Sequence, residues 1–260
     1  MGIVEIVILI ITGISVGFIN TLAGGATVIS LSVLMFMGLP LNVANGTHRI
    51  AAAFQTATSV ITYKRKGILD WRKGLVLAIP TIIGSVLGAR LAIDIDEELF
   101  KKIVAGVMIV ILITILYKPQ QWLVGNQQMI NKKLGYKQIL LFFALGLYGG
   151  FIYVGIGYFL IAAIVLSVGY DVVKANAIKV FIVMLYVPFT LGVFIWGGVV
   201  NFEYGFVLAI GQIIGGYIGA KAAITKGTGF VRWVMVIFIL FSVSYLTGIV
   251  DVSKVLAFMQ

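Results

Sequence analysis

Asn45, Thr47, His48 and Arg49 bring an amide, a hydroxyl, an imidazole and a guanidinium together in the short run Ala44-Asn45-Gly46-Thr47-His48-Arg49. Asn45 and His48 are three apart and share one helix face. A leaner version, Ala175-Asn176-Ala177-Ile178-Lys179, repeats that spacing with Asn176 and Lys179. One cation beside neutral donors in each run is suited to holding a small anion. Two further stretches carry glycine where apolar sequence would otherwise continue. They are Asn20-Thr21-Leu22-Ala23-Gly24-Gly25-Ala26-Thr27 and Tyr153-Val154-Gly155-Ile156-Gly157-Tyr158. A helix restarting after such a break presents free N–H groups and a positive dipole end, which also favour an anion. A plainer reading stands beside this one: the glycines permit close packing, and Arg49 and Lys179 snorkel to headgroups. His48 is read either as a proton carrier, its ordinary pKa lying near neutrality, or as a hydrogen-bonded structural residue.

Few other residues offer chemistry. The chain has no Cys and a single His, which removes disulfides, thiolate sites and zincin-type motifs. Its nine carboxylates fall in loops or near helix ends, so none is placed mid-membrane to relay protons or bind sodium. No cofactor, metal or catalytic set is called for. An intramembrane hydrolase built on His48 and a serine remains a distant alternative, without paired carboxylates or a GxSxG turn.

Composition says what must position these groups. The 260 residues are 61% hydrophobic and 11% charged, against about 25% charged in soluble domains. Mean hydropathy is +1.14. A water-soluble enzyme and a nucleic-acid binder are excluded, because the 19 Lys and Arg sit in short clusters between apolar runs. Met1 to Leu22 is apolar without Lys or Arg, unlike a cleaved secretory signal. Charge-free runs cover 6–48, 50–63, 74–89, 103–117, 138–170, 180–202, 204–220 and 233–250. Two are too long for one helix: 6–48 would extend roughly 65 Å, about twice the hydrocarbon thickness. Both contain the glycine breaks, so each reads as two short helices joined within the membrane.

The breaks occupy matching places in an internal repeat. Gly13, Gly17, Phe18 and Gly24 recur 133 residues later as Gly146, Gly150, Phe151 and Gly157. After a two-residue slip the offset is 131, pairing Gly38 with Gly169, Asn45 with Asn176, and Gly67 with Gly198. Gly84-x-x-x-Gly88-Ala89-Arg90 pairs with Gly215-x-x-x-Gly219-Ala220-Lys221. The small residues suit tight helix crossing. Trp71, Trp122, Trp196 and Trp233 fall near expected interfaces.

Charge chooses the relative orientation of the halves. If each long run enters and leaves on one side, the inside holds Lys64, Arg65, Lys66, Arg72, Lys73, Lys118, Lys132, Lys133, Lys137, Lys174, Lys179, Lys221, Lys226 and Arg232, fourteen of the 19. If each crosses once, the bias vanishes. The positive-inside rule therefore selects inversion. The expected fold is an all-α polytopic membrane protein of two inverted repeats, each a broken or re-entrant hairpin followed by three transmembrane helices. The units are 1–117 and 138–260, with a cytoplasmic connector at 118–137 and both termini outside.

The chain resembles the sulfite exporter TauE/SafE family over nearly its full length. The resemblance rests on Gly17-Phe18-Ile19-Asn20-Thr21-Leu22-Ala23-Gly24-Gly25, Gly38-Leu39-Pro40, Val43-Ala44-Asn45-Gly46-Thr47-His48-Arg49 and Tyr63-Lys64-Arg65-Lys66-Gly67. Gly149-Gly150-Phe151, Gly155-Ile156-Gly157 and Lys174-Ala175-Asn176-Ala177-Ile178-Lys179 continue it in the second half. Where the family usually has another glycine, this chain has Ala26, which narrows the first turn. The resemblance implies a secondary transporter, not an enzyme, moving sulfite or a small organosulfonate across the bacterial cytoplasmic membrane. A passive anion channel is the alternative. The expected partners are the anion and the lipid bilayer, with a homo-oligomer open and nucleic acid excluded.

Overall fold

The computed structural model describes residues 1–93, 125–130, 132 and 134–246, with isolated positions at 96, 98, 99, 102, 103 and 106. Most of the expected span 103–117, nine of the twenty connector residues 118–137, among them Trp122, and the C-terminal residues from 247 lie outside this set. Among the described residues the secondary structure is helical throughout. In chain order the helices are α1 (Ile3–Leu22), α2 (Thr27–Phe36), α3 (Leu41–Arg65), α4 (Trp71–Leu91), α5 (Tyr136–Phe151), α6 (Ile156–Ala163), α7 (Val172–Trp196) and α8 (Phe202–Leu246). A π-helical turn, Ile164–Val168, extends α6, and a single turn, Gln127–Ile130, precedes α5.

Both long apolar runs are broken near their glycines. In the first, Gly24 adopts φ +94°, and α2 starts at Thr27. In the second, Gly155 takes φ +76° as the N-cap of α6. The second turn therefore spans 152–155, so Gly157 and Tyr158 are already helical rather than part of the turn as expected. α2 rises roughly 15 Å, too little to cross a bilayer. α1, α4, α7 and the stretch Phe202–Phe238 are long and apolar enough to cross one. α3 has the length, at 25 residues, but not the hydropathy. Its buried side carries Asn45, Thr47, His48, Arg49, Gln55, Thr56 and Ser59. α8 is not straight: Gly227 is non-helical, at φ +74°.

Local signals fix the helix ends. Asp70 caps α4 by accepting from Lys73 N–H at 3.0 Å, and its repeat mate Asn201 accepts from Tyr204 N–H at 3.1 Å before α8. Asp171 caps α7 through Val173 and Lys174 N–H. The helices then pair across the halves. α1 lies along α8, and α5 along α4. Glycine makes both seams close: a Cβ at Gly13 or Gly17 would strike the α8 backbone at Gly211 or Gln212, and one at Gly84 or Gly88 would strike Phe143 or Leu147 of α5. Here the GxxxG spacing serves backbone contact.

These contacts also give helix directions. Along the first seam Gly211 meets Ile10, Gly215 meets Ile14 and Gly219 meets Phe18, so α1 and α8 run the same way. α4 and α5 do likewise, Thr81 meeting Gly146 and Ser85 meeting Gly150. α3 runs with α8, Ile50 lying on Gly205 and Gln55 on Gly216. α3 and α7 run oppositely, since Arg49 reaches Thr190 while Tyr63 meets Asn176.

Candidate functional site

The two turns touch each other. A Cβ on Gly24 would collide with the Cα of Gly157, and one on Gly157 would lie 2.5 Å from the Cα of Gly24. Gly25 leaves room for the ring of Tyr158. Against this meeting point lies a cavity of about 10 Å³, bordered by Asn20, Gly24, Gln55, Tyr153, Gly157 and Lys179 among others. That is space for a single water.

Each break is closed by the opposite half. A helix C-terminus leaves four carbonyls without partners. On α5 all four are met. Tyr148 accepts from Ile152 N–H at 2.7 Å, Phe151 from Asn45 Nδ2 at 3.1 Å, Gly150 from Arg49 Nη2 at 2.6 Å, and Gly149 from Arg49 Nη1 at 3.4 Å. Arg49 Nη1 also donates to Thr190 Oγ1 at 2.9 Å. On α1, Lys179 Nζ donates to Asn20 O at 2.7 Å and to Thr21 O at 3.2 Å. Ala23 N–H donates to Ile19 O. A cation at a helix C-terminus is favourable because the peptide dipoles leave negative charge there.

The two cations are thus interior groups. Arg49 is 0% exposed and Lys179 2%. The snorkelling reading is corrected: neither side chain reaches an interface, because the exposed carbonyls of the opposite hairpin are the nearer partners. Leaving both out of the loop tally keeps the inward charge bias, since each side loses one. Among the described residues neither cation has a carboxylate within ion-pair distance. Arg49 is stacked instead, its Cζ 4.5 Å from the Phe194 ring centroid and 5.6 Å from that of Tyr153.

His48 sits in a neutral network. Ser30 Oγ donates to Thr27 O at 2.9 Å, so its oxygen accepts from His48 Nδ1 at 2.8 Å. Nε2 then faces Thr27 Oγ1 at 3.5 Å, and Thr27 Oγ1 itself accepts from Asn20 Nδ2 at 3.1 Å. One proton on the imidazole, at Nδ1, serves the Ser30 and Thr27 contacts, while Gln212 Nε2, also a donor, lies 3.5 Å from the same nitrogen. Asn20 Oδ1 accepts from Ala26 N–H at 2.9 Å, which pins the first turn. The ring of Tyr153 packs 5.1 Å from that of His48. Asn176 donates to Tyr63 OH at 3.2 Å. Thr47 stands apart: its hydroxyl accepts from Asn201 N–H at 2.9 Å, holding the chain before α8.

Asn20, Gly24, Tyr153, Gly157 and Lys179 therefore meet at one place, with Thr21, Gly25, Ala26, Thr27, His48 and Gly155 immediately around them. Sequence reading missed Gln55, which donates to Thr21 Oγ1 at 2.6 Å, and Ser59, 3.0 Å from the same hydroxyl. The periodicity of polar residues on α3, at 45, 48, 55, 59 and 63, was the available signal. Tyr158 OH, Tyr186 OH, Asn45 Oδ1, Asn176 Oδ1 and Arg49 Nε are buried near these elements and have no hydrogen-bond partner among the described residues. Buried polar atoms left unpaired are rare enough to suggest a ligand or a second conformation.

Comparison with known proteins gives a consistent result. A probable membrane transporter protein of Haemophilus influenzae is 29% identical, over 91% of this chain and 92% of its own length. The probable membrane transporter protein ORF9 of a Sinorhizobium species is 27% identical, over 85% of this chain and 84% of its own. YfcA of Escherichia coli, also a probable membrane transporter protein, is 26% identical, with 85% and 81% covered. No solved structure matches. The model of the family described as sulfite exporter TauE/SafE matches residues 9–246. With nearly the whole chain covered, this protein belongs to the sulfite exporter TauE/SafE family of multi-pass membrane transporters.

Proposed function

We propose that the protein is a secondary transporter that carries a small sulfur oxyanion or organosulfonate across the bacterial cytoplasmic membrane by alternating access, the anion being held between the two turns. The observation that carries this reading is the pair of buried cations, Arg49 and Lys179, beside two touching helix breaks, without a carboxylate partner among the described residues. Buried charge in a membrane is expensive unless it is paired. Carbonyl dipoles offset part of that cost, and a bound anion offsets the rest. Lys179 is the cation that borders the cavity. Its ammonium has three donors, of which two are used by Asn20 and Thr21 carbonyls, leaving one for substrate.

The two units are read as inverted repeats. Helices equivalent by the repeat run oppositely: α3 against α7, and, since α4 runs with α7 (Gly74 lying on Phe181 and Gly197 on Ile93), α1 against α5 and α4 against α8. This is the arrangement in which one unit rocks against the other around a central site. The cavity of about 10 Å³ is too small for sulfite. Binding requires the Gly24–Gly157 contact to part.

The test is uptake of radiolabelled sulfite and sulfoacetate by proteoliposomes. Wild-type protein is expected to show saturable uptake with counterflow, and Lys179→Ala to lose at least a hundredfold in uptake while keeping its elution profile and helicity. Unchanged uptake by that variant removes Lys179 from the site. Ohmic single-channel currents without counterflow would replace the carrier by an anion channel.

A further inference from the structure

Away from the hairpins, the end of α3 and the middle of α8 enclose a cavity of about 340 Å³ lined by Thr62, Arg65, Lys66, Tyr217, Lys221 and Thr225 among others. Three of these residues are cationic and none is acidic. Among the described residues none of the three makes an ion pair. The hydroxyls are spent locally, Thr62 donating to Thr58 O and Thr225 to Lys221 O, both at 2.9 Å. Donors left to the cavity therefore belong to the three cations and to Tyr217.

The repeat does not account for this arrangement. The positions equivalent to Thr62, Arg65, Lys66 and Tyr217 are Val193, Trp196, Gly197 and Val86, and only Lys221 keeps a basic counterpart, Arg90. Of the two equivalent places, basic charge has accumulated at this one. This end of the bundle also carries Lys64, Arg72 and Lys73, which the positive-inside rule assigns to the cytoplasm.

We infer that this cavity binds the phosphate of an anionic phospholipid headgroup at the cytoplasmic leaflet. The oxyanion chemistry alone would suit free phosphate equally. An apolar track favours the lipid: one and two turns before Lys221, α8 exposes Ile218 (45%) and Ile214 (43%), and one turn before Arg65, α3 exposes Ile61 (51%). An acyl chain attached to the headgroup would lie along these side chains, which inorganic phosphate has no means to use. Basic residues next to transmembrane helix ends recognise anionic headgroups in this manner.

The experiment is native mass spectrometry of the purified full-length protein released from detergent, after exchange with phosphatidylglycerol or phosphatidylcholine. One phosphatidylglycerol should remain bound per chain and phosphatidylcholine should not. The variant Arg65→Gln/Lys66→Gln/Lys221→Gln should retain phosphatidylglycerol at least tenfold less, each charge near the surface contributing roughly fivefold. Arg90→Gln, at the equivalent place in the other half, should retain it normally. Equal retention by the triple variant and wild type would overturn the proposal. So would displacement of the bound lipid by millimolar inorganic phosphate, which would make the ligand a free anion. Circular dichroism of the triple variant checks that its helices are intact, and a second variant, Lys221→Glu alone, should lose retention if the triple variant fails to fold.

Discussion

Arg49 and Lys179 do related work at opposite hairpins, yet their surroundings differ. Arg49 satisfies two carbonyls of α5, a threonine hydroxyl and two aromatic faces, and it does not border the cavity at the turns. Lys179 satisfies two carbonyls of α1 and borders that cavity. The difference follows from where the first helix of each hairpin stops. α5 ends at Phe151, whose repeat mate is Phe18, whereas α1 continues to Leu22, about one turn further. The shorter helix exposes its carbonyls earlier, and the planar guanidinium, with donors in a fixed fork, reaches several at once. The longer helix needs only a point charge. One cation therefore closes a broken helix, and the other closes one while keeping a third ammonium donor beside the cavity, the donor the proposed function assigns to substrate.

The largest effect expected from this comparison is on stability at the Arg49 side. Arg49→Ala leaves Gly149 and Gly150 carbonyls without partners in a buried site, a loss of about 3 kcal/mol or more. The apparent Tm of the detergent-solubilised protein should drop sharply, and Arg49→Lys should recover part of it. Lys179→Ala should lower Tm less, because it frees only the Asn20 and Thr21 carbonyls, whereas Arg49→Ala also gives up the Thr190 hydroxyl and two aromatic contacts. An equal drop for both would erase the distinction between closing cation and substrate cation.

Next in size is the contact between the turns. Gly24→Ala places a Cβ at φ +94° and against the Gly157 backbone. Strain of about 1–3 kcal/mol adds to the collision. Gly157→Ala meets Gly24 in the same way but from helical φ, so it isolates the collision. Both variants should lose uptake. Gly24→Ala should show the lower Tm, and the reverse order would mean that backbone conformation does not matter at the first turn.

His48 ranks below these. Its contacts with Ser30 and Thr27 suit a neutral imidazole, so His48→Gln should stay within about 1 kcal/mol of wild type in a melting experiment. The uptake pH profile should be unchanged. Loss of pH dependence in this variant would instead make His48 the proton carrier of the cycle.

These effects were unequally legible in the sequence. The breaks at Gly24 and Gly155 announced themselves, because the apolar runs holding them are too long for one helix and the repeat supplied such a run twice. The seams were foreshadowed by Gly84, Gly88, Gly215 and Gly219. What Arg49 and Lys179 do was not legible: their partners are main-chain carbonyls of the opposite half, which carry no residue type to search for. The end of the second turn at Gly155 instead of Tyr158 was equally hidden, since it depends on which of Gly155 and Gly157 takes the left-handed conformation. Gln55 and Ser59 could have been found, had the polar stripe on α3 been followed beyond Arg49.

A smaller contrast separates the two ends of the bundle and is read by pH. Before α4, Asp70 accepts from Lys73 N–H and from Tyr170 OH, tying α4 to the loop that leads into α7. At the equivalent place before α8, Asn201 and Thr47 make a neutral version of the same tie. Partial desolvation pushes the Asp70 carboxyl up. The hydrogen bonds from Tyr170 and Lys73, with the Lys73 charge, outweigh it and hold the group below its ordinary 3.8. A carboxyl whose pKa is lower folded than unfolded contributes stability that is present above the unfolded value and is lost as pH falls through the folded one. Wild-type Tm should therefore decline below about pH 4 by an increment that Asp70→Asn lacks, measured by thermal melting between pH 3 and 6. Asn201→Ala should cost about 1 kcal/mol at every pH, as loss of a neutral cap does. If Asp70→Asn follows the wild-type curve through acid, the tie at that end depends on geometry alone and the two ends are alike.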